Sequence, residues 1–361
     1  MLSKPHGFDN VRRGRMSNAY VLNVWYMAAW QEEVDATDMV TRTLLDRNWL
    51  IYRTEDGGYA MLLNRCPHRF APLSRGRREG DLIECGYHGL RFDRTGTCVH
   101  NPFSDLIPPN ASIPTYPVVA RNGIIWFWPG EAGAADESLI PDYSILDDPT
   151  PMVRKRTRME ANYELLADNL LDLSHVEFVH RNSFRSGGAM LKGEHKAYTD
   201  EQGAIWSCWS MTNVPAPLFA TTLADVPTDR WTNMRWSAPA NLYLEVGAAP
   251  TGCPRDESPV QPLRNPHIVT PETQTSSHYF YNHKPGEEAA ALATQVFENE
   301  DRPMLEAVQR EMGDAQFWDL RPVILNVDSA AVRARRHLMK LRREEAARRG
   351  DSAVTDLAAA E

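Results

Sequence analysis

The chain has 361 residues, 42% of them hydrophobic, with 10 tryptophans, 12 tyrosines and 11 phenylalanines, enough apolar material for two buried cores. A formal net charge of −9 argues against non-specific binding to nucleic acid, and no run approaches the roughly 18 uninterrupted apolar residues of a membrane span. Five cysteines, an odd number in so long a chain, do not look like a disulfide framework, so a reducing cytoplasm is the expected setting.

Residues 1–20 read as a disordered basic leader that lacks the apolar centre of a secretory signal. Residues 21–130 read as a small antiparallel β domain. Its short β-type runs at 43–53, 59–64, 82–84 and 123–128 are separated by turns at Asp56-Gly57-Gly58, Glu79-Gly80-Asp81 and Arg94-Thr95-Gly96. Within it Cys66-Pro67-His68 is followed, after sixteen intervening residues, by Cys85-Gly86-Tyr87-His88-Gly89. Structural zinc sites more often pair Cys with Cys and His with His, whereas each pair here mixes one of each. A mixed pair suits a binuclear 2Fe-2S cluster in which one iron takes the thiolates of Cys66 and Cys85 and the other the imidazoles of His68 and His88. From Arg65 to Arg94 seven arginines stand against four acids. That local basic excess would steer an acidic redox partner, or it is a solvated loop face.

Residues 131–151, rich in Gly, Ala and Pro, read as a linker. The second domain is read as residues 152–349 and opens with a helical pattern at 163–180 carrying Asn169, Asp172, His175 and His180. At about 100° per residue the first three share a face and His180 sits about 140° from His175, so the imidazoles converge only if the helix bends, ends or bulges. Asp172 lies in i,i+3 reach of His175 and could hold its second ring nitrogen, as carboxylates do for metal-bound histidines. Two half-buried histidines satisfied by backbone carbonyls are the plainer alternative.

Strand-like runs follow at 204–211, 230–237, 241–248, 267–270 and 275–283, which read as a sheet wrapped against helices around a large apolar cavity. A two-histidine metal site would be completed by a carboxylate, and Asp301, Asp314, Asp319 and Asp328 are candidates. A helical run at 289–312 carries an apolar stripe of Ala289, Leu292, Ala293, Val296, Phe297, Met304, Leu305 and Val308, and Asp301 falls on it. A carboxylate buried there is costly unless paired or bound to a cation. Capping of a helix that begins at Arg302 or Pro303 is the competing role. His267 and Asn213 are candidates to face a substrate. Trp206, Trp209, Trp231 and Trp236 could face a substrate but also fit core packing. The run from Val332 reads as a solvated basic helix and residues 350–361 as a fraying tail.

Together these residues carry a resemblance. Cys66-x-His68-x16-Cys85-x2-His88 resembles the Rieske cluster motif, and Asn169-x2-Asp172-x2-His175-x4-His180 resembles the mononuclear iron motif of Rieske non-heme iron oxygenases. Asn23-x-Trp25-Tyr26, Cys66-Pro67-His68-Arg69 and Trp126-Phe127-Trp128-Pro129-Gly130 are most similar to the oxygenase (alpha) components of the aromatic O-demethylase branch, the vanillate and dicamba demethylases. The resemblance implies an α+β chain, a Rieske domain followed by a catalytic domain of the helix-grip type. It implies one 2Fe-2S cluster on Cys66, His68, Cys85 and His88, and one Fe(II) on His175, His180 and Asp301, with O2 as co-substrate. It also implies a homotrimer in which Asp172 joins His88 of the partner subunit to His175. Electrons would come from an NAD(P)H-dependent flavin/iron-sulfur reductase or a ferredoxin. Asn169 and Asp172 would serve catalysis, and His267 matches a substrate-lining position. The implied reaction is oxidative O-demethylation of a methoxylated aromatic acid with release of formaldehyde; ring or methyl hydroxylation is the alternative.

Overall fold

The computed structural model describes residues 19–184 and 186–350, so the leader read at 1–20 and the tail read at 350–361 lie almost wholly outside the described residues. The chain forms two compact units, one of residues 19–148 with 342–350 and one of Pro149–Leu341. Among the described residues no helix is long and apolar enough to cross a membrane.

The first unit is built from three small antiparallel sheets. Tyr26–Trp30 pairs with Ile124–Phe127, which pairs with Val118–Arg121; Val40–Leu44, Arg47–Arg53 and Tyr59–Leu63 form the second sheet. The third runs Arg77–Glu79, Leu82–Glu84, Arg91–Phe92, Cys98–His100. The single run read at 43–53 is therefore a hairpin. Its two turn residues, Leu45 and Asp46, both take positive φ (52° and 62°), a geometry usually signalled by Asn-Gly and here carried by residues that give no warning. Late in the chain Glu345, 4% exposed, accepts the backbone N–H groups of Leu22 (2.9 Å) and Asn23 (2.7 Å), tying the end of the last helix, Ser329–Arg349, to this unit.

The second unit is organised on one seven-stranded antiparallel sheet. Its order is Val153–Met159, Ser277–His283, Leu263–Pro271, Asn241–Pro250, Thr228–Ser237, Ile205–Val214, Glu194–Thr199. The two strands absent from the sequence reading are the edges. Val153–Met159 is VRKRTRM and Glu194–Thr199 is EHKAYT, and charges on edge strands obscure the apolar alternation that marks inner ones. Register places Trp236 opposite Leu242, Leu242 opposite His267 and His267 opposite Tyr281, so all four side chains share one face, and all are buried. Arg335 pins the last helix to Tyr163–Leu171: its guanidinium reaches Asp168 Oδ2 at 2.6 and 2.8 Å and Glu164 Oε2 at 3.0 Å.

Candidate metal centres

In the first unit both Cys–His pairs sit in turns with the same backbone design. Cys66 N–H donates to Ala71 O (2.9 Å) and Phe70 N–H to Cys66 O (3.0 Å); Cys85 N–H donates to Leu90 O (2.8 Å) and Gly89 N–H to Cys85 O (2.9 Å). The fourth residue after each cysteine, Phe70 or Gly89, has positive φ (60° and 73°). A Cβ on Gly76 would lie 1.8 Å from Glu84 O, so only glycine lets the segment after the first turn pass against the start of the second. The sulfurs are buried while the imidazoles reach the surface, their ring centroids 4.5 Å apart. Burial pushes the Cys66 thiol up to about 11, and the adjacent Cys85 thiol pushes the same way. A thiol raised so far stays protonated at neutral pH unless a cation takes the proton's place. The donors do not close around one ion, because among the described residues the only group of three or more His, Cys, Asp or Glu donors within 4.8 Å of one another lies elsewhere. Two buried sulfurs on one side and two imidazoles on the other fit the binuclear cluster and not a single zinc.

Beside the imidazoles opens a cleft of about 450 Å³ lined by Pro67, His68, His88, Leu90, Phe103 and Pro108, among other residues. The basic rim is narrower than the residue count suggests. Arg77, Arg78, Arg91 and Arg94 are paired with acids, which leaves Arg65, Arg69 and Arg75 without an acid partner among the described residues, and Arg65 lies over the Phe70 ring.

In the second unit the helix does not run to His180. It ends at Leu171; Asp172 leaves helical geometry (φ −93°, ψ 80°), and a 3-10 turn over Leu173–Glu177 follows. This break turns His175 and His180 towards each other, with Nε2 atoms 3.2 Å apart. Asp301 arrives at the end of a π-helical segment, Thr294–Asp301, set between α-helices Glu287–Ala293 and Arg302–Met312. Its side chain makes no capping hydrogen bond, so the capping role is set aside. Its Oδ1 lies 3.2 Å from His180 Nε2 and 3.6 Å from His175 Nε2, and the side chains of His175, His180 and Asp301 are 14%, 2% and 5% exposed. Metal bonds of about 2.1 Å at right angles would place neighbouring donors about 3.0 Å apart, so the three fit one face of an octahedral ion.

Charge points the same way. Burial drives the His175 imidazole down, whereas for His180 the hydrogen bonds and charges of Asp301 and Glu300 outweigh burial and lift it. A buried group of two imidazoles and two nearby carboxylates lacks positive charge, which a divalent cation supplies.

Asp172 is a correction. Its carboxylate does not orient His175: Oδ1 accepts Ser174 N–H (3.1 Å) and Oγ–H (2.5 Å), and the Asp172 backbone carbonyl stands 2.6 Å from His175 Nδ1. The carboxylate that holds a histidine is Glu300, which the sequence reading passed over: Oε2 lies 2.8 Å from His180 Nδ1, while Ser183 and Gln295 donate to Oε1 at 2.5 and 3.1 Å. Asn169 Nδ2 donates to Asp301 Oδ1 at 3.3 Å. His267 is buried beside Tyr279 and Phe297. Asn213 is instead exposed in a strand irregularity, with φ of 56° and its N–H on Asp229 Oδ1, so it points to turn geometry rather than to a substrate contact. Trp209, Trp231 and Trp236 are buried as core residues. The cavity touching Asp301 is not large: about 10 Å³, lined by Met159, Leu166, Asn169, Leu170, Tyr279 and Leu305.

Comparison with known proteins decides the family. Residues 24–117 match the Rieske [2Fe-2S] domain and residues 159–344 the vanillate O-demethylase oxygenase C-terminal domain. The chain belongs to the Rieske non-heme iron oxygenases. It is 38% identical to the chloroacetanilide N-alkylformylase oxygenase component of Rhizorhabdus wittichii, over 88% of this chain and 94% of that one. It is 36% identical to the dicamba O-demethylase oxygenase component of Stenotrophomonas maltophilia, over 91% and 99%. The crystal structure of dicamba monooxygenase bound to 3,6-dichlorosalicylic acid superimposes with a TM-score of 0.82 at 36% identity, again over 91% and 99%. As an oxygenase component of this family the chain is an oxidoreductase with a Rieske 2Fe-2S cluster and a mononuclear non-heme iron, and its α+β architecture is the one expected from sequence.

Proposed function

We propose that this Rieske oxygenase removes a methyl group from a methoxylated aromatic acid, with residues 21–130 storing the electron and residues 152–349 carrying the oxygen chemistry. The observation behind this reading is the buried triad of His175, His180 and Asp301 in the same unit as His267, a neutral buried donor suited to a polar ring substituent. Cys66, His68, Cys85 and His88 would hold the cluster and the triad the Fe(II), which together supply one-electron delivery and O2 activation. Glu300 fixes the ring of His180, and Asn169 fixes the Asp301 carboxylate.

Asp172 is read as a bridge in a homotrimer, meeting His88 of the partner subunit. Its Oδ2 accepts no hydrogen bond among the described residues, and its side chain is half-buried. The cleft beside His68 and His88, with Arg69 and Arg75, is assigned to exchange with an NAD(P)H-dependent reductase or ferredoxin. Five free cysteines favour the cytoplasm.

Turnover with a surrogate reductase across methoxylated and carboxylated aromatics, with formaldehyde and oxygen uptake assayed together, tests the reading. Oxygen consumption coupled to formaldehyde is expected; coupled consumption with a hydroxylated product and no formaldehyde would replace demethylation by hydroxylation. A second reading, a chloroacetanilide as substrate, is favoured by the 38% identical relative and belongs in the same panel.

A further inference from the structure

The proposed reaction uses His267 but not its buried partner, Tyr279. The hydroxyl of Tyr279 (3% exposed) lies 2.5 Å from Nδ1 of His267 (4% exposed). Across the ring, Nε2 is buried and has no hydrogen-bond partner among the described residues. Burial pushes this imidazole down to about 4, so at neutral pH the ring carries a single proton, on one nitrogen or the other.

Counting unmet groups decides which. With the proton on Nδ1, the ring donates to the tyrosine oxygen; the tyrosine's own proton then lacks an acceptor and the Nε2 lone pair lacks a donor, two unmet groups in a buried place. With the hydroxyl donating to Nδ1, the Nε2 N–H alone is unmet. The contact is also rigid. Phe297 packs edge-on to His267 (5.8 Å, 67°) and to Tyr279 (5.5 Å, 85°) from the same π-helical segment that ends in Asp301, and Tyr279 lines the small cavity at Asp301.

We propose that Tyr279 is a positioning residue that holds His267 as an Nε2–H donor, so that the site takes aromatic substrates presenting an oxygen acceptor there and rejects those presenting a donor. The proposal rests on the reading of His267 as a substrate contact. Tyr279 acts through the histidine and needs no contact with substrate. A tyrosine that merely fills space would not set the tautomer.

Calorimetric binding of 3-methoxybenzoate to the anaerobic holoenzyme separates the two. Tyr279→Phe is expected to weaken binding about 5- to 10-fold, the worth of one fixed hydrogen bond, with iron and sulfide contents unchanged. In a His267→Gln background, where an amide N–H stands near the Nε2 position without any tautomer to fix, the same change is expected to cost less than about twofold. Equal weakening in both backgrounds would mean that the tyrosine acts by packing, and would overturn the proposal. So would unaltered binding by Tyr279→Phe when His267→Ala binds poorly. If His267→Ala and His267→Gln both bind as the parent does, the reading of His267 itself fails and the proposal falls with it.

Discussion

The two metal-binding regions place their donors under opposite conditions. At the cluster the imidazoles reach the surface among Phe70, Tyr87 and Phe103, which are 67%, 59% and 78% exposed, and backbone hydrogen bonds within two tight turns hold the ligands. At the triad the donors are buried and held by other side chains, with Glu300 on His180 and Asn169 on Asp301. An electron store must touch another molecule at its edge, whereas oxygen chemistry needs water kept out. The contrast teaches that turns can present a cluster locally, while a dry site has to be assembled from distant segments.

Emptying one site at a time separates the two regions. Asp301→Ala should lose the mononuclear iron and more than about 100-fold in turnover, with the visible absorption of the cluster retained; Cys85→Ser should do the reverse for iron and colour. Metal analysis and spectra of the two variants check this, and either variant emptying both sites would show that the regions are not independent. Asp172→Asn should leave both metals bound and the cluster reducible while turnover falls by about 100-fold. Normal turnover would refute the bridge.

Glu300→Gln should weaken iron at the triad by about 10-fold in chelator competition and leave the cluster untouched. A separate effect falls on stability. His267 titrates near 6.5 when unfolded and near 4 when folded, so the unfolded chain takes up the proton first as pH falls. Stability should therefore drop by about 3 kcal/mol between pH 6.5 and 4, with no contribution above that window. Urea melts at the two ends, repeated with His267→Gln, should show that this part of the acid sensitivity is gone.

Legibility followed locality. Each Cys–His pair lies within one turn, so spacing alone was informative; the angular separation of His175 and His180 called for an irregularity, but the helix ends before both of them, at Leu171. Glu300 was hidden because its role depends on His180, 120 residues away. The stripe through 289–312 located Asp301 but misplaced Leu292, Met304 and Val308, which are 38%, 52% and 38% exposed. The π-helical segment resets the helical phase between them, and single-residue periodicity does not reveal such a widening. Asp172 was assigned by i,i+3 spacing to a helix that in fact ends one residue earlier, which freed its side chain to hold Ser174.

The most direct test is anomalous scattering at the iron edge from crystals of the iron-loaded protein. One peak between His175, His180 and Asp301, together with a binuclear peak between Cys66, His68, Cys85 and His88, is the predicted result. A loaded crystal with iron at the cluster and none among those three side chains would contradict the account.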